Sequence, residues 1–278
     1  MKRILLYFAL LLFAAGCAGG RKMVNNESGQ QLTDSILQYS LDHEALYTLL
    51  GSVKPMSSLV SFSFPIANLD STKKASEQLL DPAKHQAHLI RLLHIQQAVN
   101  GIHIPDVKIV MVPYKAPYRG KRNIQISAVR ISMLDSLLRT KSQFFGQFGL
   151  VPGADPTLVV STIENADTYE RLRGYGYLFG YPDYAVDFFV KASQEADLKG
   201  QFIERNFFQI PTYARSNGYF VYAYPKDMTP SAAVDSVLYH KAVSLLDKYK
   251  AVRNHYLNAD STLSAYKLIL EYHRKSKD

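Results

Sequence analysis

Apolar residues recur along this chain at two spacings, and the change from one to the other marks where helices should give way to strands. From Thr33 to Leu50, Ile36, Leu37, Leu41, Ala45, Leu46, Leu49 and Leu50 keep a roughly helical spacing. Ser40 and Asp42 interrupt it and Gly51 fits a stop, so one kinked helix or two short ones are expected. LVSFSF (59–64), ended by Pro65, reads as a short strand. Asp81-Pro82 opens and Asn100-Gly101 closes a helix over 82–100. VKIVMVP (107–113) and NIQISAVRI (123–131) are strands by β-branched content. The second alternates polar Asn123, Gln125 and Ser127 with apolar Ile124, Ile126 and Ala128, and the two are expected to pair as a hairpin across a basic loop.

Met133 to Phe148 has a helical pattern; after the turn-rich PGADP, TLVVSTI (157–163) reads as a strand. Asn165–Gly180 and Asp183–Leu198 read as two helices about a Gly-Tyr-Pro turn, and GYFVYAY (218–224) as a strand stopped by Pro225. Thr229-Pro230 supplies an N-cap and a first-turn proline for a long helix. Its face carries Val234, Leu238, Ala242, Leu245, Tyr249, Val252 and Tyr256. Asn258–Ser261 breaks that pattern before a last helix over 262–273. Clustered strands, no regular βαβ alternation and no repeat imply an α+β fold. The expectation is several short strands in a mainly antiparallel sheet, packed with multiple helices and ending in long C-terminal helices.

The first residues follow a different logic. Lys2 and Arg3 precede an unbroken apolar run, Ile4 to Phe13. Its about ten residues, at roughly 1.5 Å each, cover only about half of a ~30 Å hydrocarbon core, so it reads as the h-region of a signal peptide and not as a membrane span. The tetrad Ala14-Ala15-Gly16-Cys17 then resembles the lipobox of bacterial lipoprotein precursors, with alanine where leucine is usual three places before the cysteine. That resemblance implies a diacylglyceryl group on the Cys17 sulfur, cleavage after Gly16, and, in many such proteins, N-acylation of the new terminus. The other reading is an ordinary secretory signal with a chance cysteine. AGGRKMVNNESGQQ (18–31) is polar and aperiodic, as a tether would be. The expected organisation is a leader over 1–16, lipidated Cys17 with its tether over 17–31, and a single α+β domain over 32–278.

Composition narrows the chemistry. Cys17 is the only cysteine, so once it carries lipid neither a disulfide nor thiol catalysis remains to the mature chain. The formal net charge of +8 falls by two when Lys2 and Arg3 leave with the leader. A moderate excess of this kind is compatible with anionic lipid or a cell-wall polymer as partner, whereas nucleic acid is not expected outside the cytoplasm. The 19 Tyr and 14 Phe, with no Trp, allow aromatic recognition surfaces.

Each motif has a plainer alternative beside its functional reading. His85 and His88 share a helical face about 60° apart, but His94 points well away from both and no HExxH or Cys/His spacing supplies further ligands, so no metal is expected. Ser71-Thr72-Lys73-Lys74 resembles the S-x-x-K nucleophile motif of penicillin-binding proteins and serine β-lactamases. A second match at Ser264–Lys267 and the missing K-T-G strand leave Ser71 as a helix-capping residue instead. GYGYLFG (174–180) has the wrong spacing for a dinucleotide loop and bulky aromatics where phosphate should approach, so no cofactor is expected. Its glycines suit close packing; the alternative is an aromatic pocket walled by Tyr175, Tyr177, Tyr181 and Tyr184. Lys115, Arg119, Lys121 and Arg122, interleaved with Tyr114 and Tyr118 on the hairpin loop, are the candidate anionic contact, against the alternative of a solvated loop. The sequence reading is thus a membrane-tethered envelope lipoprotein, on the periplasmic side or the cell exterior, acting by binding or assembly. The competing reading is an exported hydrolase for an envelope or glycan substrate, its site assembled from residues distant in sequence.

Overall fold

The computed structural model describes residues 29–67, 81–214 and 220–275; Cys17, Ser71, Gly218 and Tyr219 lie outside them. The fold is α+β. Helix α1 (Gly29–Asp42) begins three residues before the expected domain start and buries Thr33, Ile36, Leu37, Ser40 and Leu41, two pairs and an outlier on one face. Ser40 turns its hydroxyl back onto the Ile36 carbonyl at 2.6 Å, and after Asp42 the chain turns into the short α2 (Leu46–Leu49), so the kinked pattern resolves as two helices.

Strand β1 (Met56–Pro65) pairs antiparallel with β3 (Lys121–Arg130), whose other edge takes β2 (Val107–Pro113), also antiparallel. The order β1-β3-β2 puts β3 at the centre. It has a core on each face: Ile126 and Ala128 pack with Phe62, Phe64 and Ile109, while Val129 packs with Met56, Val110 and Val112. This is the period-two alternation of a strand buried on both sides. Helices α1 and α3 (Gln86–Asn100) cover the first face. The second is covered by α4 (Ile131–Thr140), α5 (Ser142–Gly146), α6 (Pro156–Asn165) and α7 (Thr168–Leu178). The expected hairpin is present, with Val107 opposite Arg130 and Pro113 opposite Ile124.

Three expectations need correction. Residues 157–163 are not a strand but the body of α6: Asp155 accepts the Thr157 and Leu158 amides, Pro156 occupies the first turn, and Val159, Val160 and Ile163 are buried at helical spacing. An N-cap with a following proline outweighs β-branched content. The helix expected over 133–148 breaks at Lys141 into α4 and α5. The long helix expected from Pro230 begins as α9 at Val237 (Val237–Arg253), after a widened π turn over Ala232–Ser236 that leaves Val234 exposed instead of on the buried face. The last helix, α10, runs Ala265–Lys275.

Helix α8 (Asp183–Lys199) ends at Gly200, whose φ of 66° suits a residue without a side chain. Beyond it β4 (Arg205–Ile210), which the pattern did not reveal, pairs antiparallel with β5 (Phe220–Pro225) in a second, separate sheet. The strands therefore form two antiparallel sheets where one was expected. Gly174 and Gly176 let α7 settle against its neighbours: a Cβ at Gly174 would lie 2.7 Å from Ile163 of α6, and one at Gly176 2.8 Å from Val186 of α8.

Candidate functional site

The four hairpin cations separate into two roles. Arg119 (φ 48°) and Gly120 (φ 68°) form a tight turn closed by reciprocal Tyr118 and Lys121 backbone bonds of 2.9 and 3.0 Å. Arg119 and Lys121 are exposed at this tip, with the Arg119 guanidinium 5.1 Å from the Tyr118 ring centre. Lys115 and Arg122 are instead bonded back to main-chain carbonyls, Lys115 while staying exposed and Arg122 half-buried. The Lys115 ammonium donates to the Asn165 and Ala166 carbonyls at the C-terminus of α6, and Arg122 donates to the Tyr114 and Lys115 carbonyls at 2.6 and 2.8 Å.

The four tyrosines are engaged with internal partners. Tyr175 donates to Glu164 at 2.7 Å and stacks on Phe179. Tyr177 lies in the core against Phe144 and Phe145 and accepts from Arg173. Tyr181 stacks on Phe220, beside Tyr222, and Tyr184 donates to Asp235 at 2.8 Å. Burial is the leading cause that pushes the Tyr175, Tyr181 and Tyr184 hydroxyls above the usual tyrosine range, reinforced by Glu164 for the first and Asp235 for the last.

Three buried polar clusters that the sequence did not signal hold the layers together. Lys54, wholly buried, donates to Glu44 at 2.7 Å and sits 4.2 Å from the Phe220 ring centre; burial lowers its basicity and Glu44 opposes the shift. Glu164 accepts from the Lys115 amide, Arg171 and Tyr175. Asp235, in the π turn, accepts from Tyr184, Tyr222 and the Ser231 amide, so one carboxylate joins α8, β5 and the entry to α9. Among the described residues, Thr212 Oγ1 is the only buried side-chain polar atom without a hydrogen-bond partner, so these clusters spend their bonding capacity on the fold.

One surface feature has the opposite character. Helix α3 buries Ile95, Ala98 and Val99 in its second half, whereas its first half presents Leu89, Ile90 and Leu93 to solvent at 44, 46 and 54% exposure. At 100° per residue those three fall within an arc of about 100°, roughly opposite the buried side. From Pro82 to Pro105 the sequence contains no aspartate or glutamate, but it does contain Lys84, Arg91 and four histidines. Arg91 lies 5.8 and 5.6 Å from the Phe62 and Phe64 ring centres on β1. Phe64 is opposite Arg122, Pro65 is opposite Lys121, and Ile66 donates to the Gly120 carbonyl at 2.9 Å. The exposed half of α3 and the hairpin tip therefore occupy the same end of the three-stranded sheet. Apolar residues on both sides of α3 mark no single core face in the sequence, so this stripe was not found from it.

The described surface also carries two open grooves. One of about 510 Å³ runs from Val99 to Ile109, and one of about 360 Å³ lies between Gln30 and Asp34 of α1 and Ser264 with Tyr266 and Lys267 of α10. Ser264 and Lys267, the second S-x-x-K match, share the latter, but the Ser264 hydroxyl donates to Asn258 and its carbonyl accepts the Leu268 amide at the start of α10. Among the described residues no group of three or more His, Cys, Asp or Glu side chains is placed to hold a metal ion, and no helix is long and apolar enough to cross a membrane. Comparison with protein-family models, curated proteins and solved structures found no match to this chain.

Proposed function

We propose that this chain is a cell-envelope lipoprotein, tethered to a membrane by lipid on Cys17, whose folded domain works as a binding or assembly module on the periplasmic or exterior side. The observation that carries the reading is the position of the single cysteine, directly after an apolar run and two small residues and behind a basic start. Several acyl chains, at about 0.8 kcal/mol per buried CH₂, would hold the domain durably where one chain gives marginal binding.

For the domain, a binding role is supported by where the unspent chemistry lies. The buried carboxylates and Lys54 are occupied with internal partners, while the aliphatic stripe of α3 and the cations of the hairpin tip face outward at one end of a sheet. The experiment is fatty-acid labelling in cells. Cys17→Ser abolishes incorporation of labelled fatty acid and moves the protein out of salt-washed membranes; label retained on the Cys17→Ser chain refutes the assignment.

A further inference from the structure

We infer that the first half of α3 and the β2–β3 hairpin tip form one surface that lies on an anionic lipid bilayer, as a second contact beside the acyl anchor. The inference rests on the lipoprotein reading for its setting, and its test is independent of the anchor.

The chemistry of the surface matches that of an interfacial helix. Leu89, Ile90 and Leu93 form an aliphatic stripe on the outer side of α3, and Lys84 and Arg91 belong to the same acid-free stretch. Arg119 and Lys121 stand at the same end of the sheet, joined to α3 through Phe64, Pro65 and Ile66. Of the nearest acids in sequence on either side of that stretch, Asp106 is held by Arg130 and Ser132, and Asp81 caps the turn before α3 by accepting the Ala83 amide. An aliphatic stripe in an acid-free stretch, with exposed cations at the same end of the sheet, complements a bilayer whose apolar interior lies beneath negative headgroups. The stripe is the convex back of a helix, and neither described groove contains any of its residues. A deformable lipid surface accepts such a shape without a matching cavity.

The tether makes a weak contact sufficient. From Cys17 to Gly29 the chain can reach at most about 40 Å, so a lipid on Cys17 keeps the start of α1, the helix that packs against α3, within that distance of the bilayer. Docking is then intramolecular, and its effective concentration is set by the tether length.

The test uses the chain from residue 17 carrying Cys17→Ser, which cannot be lipidated, in sedimentation with vesicles of phosphatidylglycerol and phosphatidylcholine or of phosphatidylcholine alone. Binding is expected to the anionic vesicles only and to weaken in high salt. The combined Leu89→Ser, Ile90→Ser and Leu93→Ser variant is expected to lose at least tenfold in partitioning. Lys84→Ser, Arg119→Asn and Lys121→Ser are each expected to lose about fivefold. As a second readout, Leu93→Cys in this cysteine-free chain, labelled with a polarity-sensitive dye, should shift to the blue on anionic vesicles. The same dye on Val151→Cys, exposed among the helices of the opposite sheet face, should not shift. Equal binding to both vesicle types, undiminished binding by the triple serine variant or an unshifted dye at residue 93 overturns the inference. So does a dimer abolished by the same serines, which assigns the stripe to a second copy, or binding to a soluble polyanion without binding to vesicles. Each of these outcomes leaves the fatty-acid labelling of Cys17 unaffected.

Discussion

Replacing Asp235 with alanine tests whether one buried carboxylate organises the junction of α8, β5 and α9. Asp235 is fully buried, and the substitution would strip the acceptor from the Tyr222 hydroxyl at 2.5 Å, the Tyr184 hydroxyl at 2.8 Å and the Ser231 amide. A buried donor left without an acceptor costs about 1–3 kcal/mol, and bonds to a charged group lie at the upper end. Tyr222, only 2% exposed, suffers the whole of that cost, whereas Tyr184 and Ser231 are half-buried and recover part of theirs from water. The expected loss is therefore about 3–5 kcal/mol, a large share of the ~5–15 kcal/mol that stabilises a domain. Tyr222→Phe removes one of three donors and should cost about 1.5–3 kcal/mol. The double variant has no orphaned Tyr222 hydroxyl, so its loss should fall short of the sum of the single losses by about 1–3 kcal/mol. Urea unfolding of the four proteins, followed by far-UV circular dichroism, gives all three numbers. An Asp235→Ala protein within about 0.5 kcal/mol of the parent, or losses that simply add, would show that the carboxylate does not hold this junction.

Other parts of the molecule give sharper contrasts. The hydroxyls of Tyr47, Tyr222 and Tyr249 are all raised above the ordinary value, chiefly by burial. Their contribution to stability is fully present below the unfolded-chain value near pH 10 and is lost as pH rises beyond it, at up to about 1.4 kcal/mol per pH unit for each. Thermal melts should therefore fall steeply above about pH 10 together with a late, cooperative rise in tyrosinate absorbance; a gradual rise with unchanged melting temperature contradicts this. Glu44→Gln leaves the wholly buried Lys54 without its carboxylate and should cost about 3–5 kcal/mol, while adding Lys54→Met should restore most of it, both measured in urea. Gly174→Ala forces a methyl group to within 2.7 Å of Ile163 and should destabilise by about 1–3 kcal/mol. Gly146→Ala meets nothing within 4 Å and should stabilise α5 by up to about 1 kcal/mol in the same assay.

The fold was legible where local and tertiary signals agree. The β2–β3 hairpin and the α7–α8 pair have apolar periods that mark them, and α3 ends at Asn100-Gly101 as its stop signal says, whereas Asp81-Pro82 starts a short 3-10 turn over Pro82–Lys84 and α3 itself begins at Gln86. Misreadings arose where two local signals competed or a distant partner decided. TLVVSTI has strand composition, but Asp155 and Pro156 start a helix before that composition can act. The helix expected from Pro230 is delayed because Asp235 turns inward to three donors, two of them tyrosines at sequence distances of 51 and 13 residues. β4 escaped notice because its outer residues, Phe207 among them, stay exposed in a two-stranded sheet, so it lacks the polar–apolar alternation of a half-buried strand.

The candidate surface was half legible for a reason specific to each half. Four cations around a glycine turn are visible in any sequence, but which of them are bonded back to the fold depends on what lies beneath the loop. Here the end of α6 takes Lys115, and two carbonyls of the loop itself take Arg122. The stripe of α3 was hidden by the opposite effect. Leu89, Ile90 and Leu93 together with Leu92, Ile95 and Val99 spread apolar side chains over more than half of the helix circumference, so the sequence does not separate an outer stripe from a core face. Among the described residues, only one side has protein against it over the first half of α3. Leaving three aliphatics in water there is unfavourable for the isolated domain, and the same stretch contains no acid that would repel a negative surface. A sequence constrained only to fold would gain solubility from one glutamate among residues 89, 90 and 93. The absence of any acid from Pro82 to Pro105 is better matched to the membrane contact proposed for the outer side of this helix.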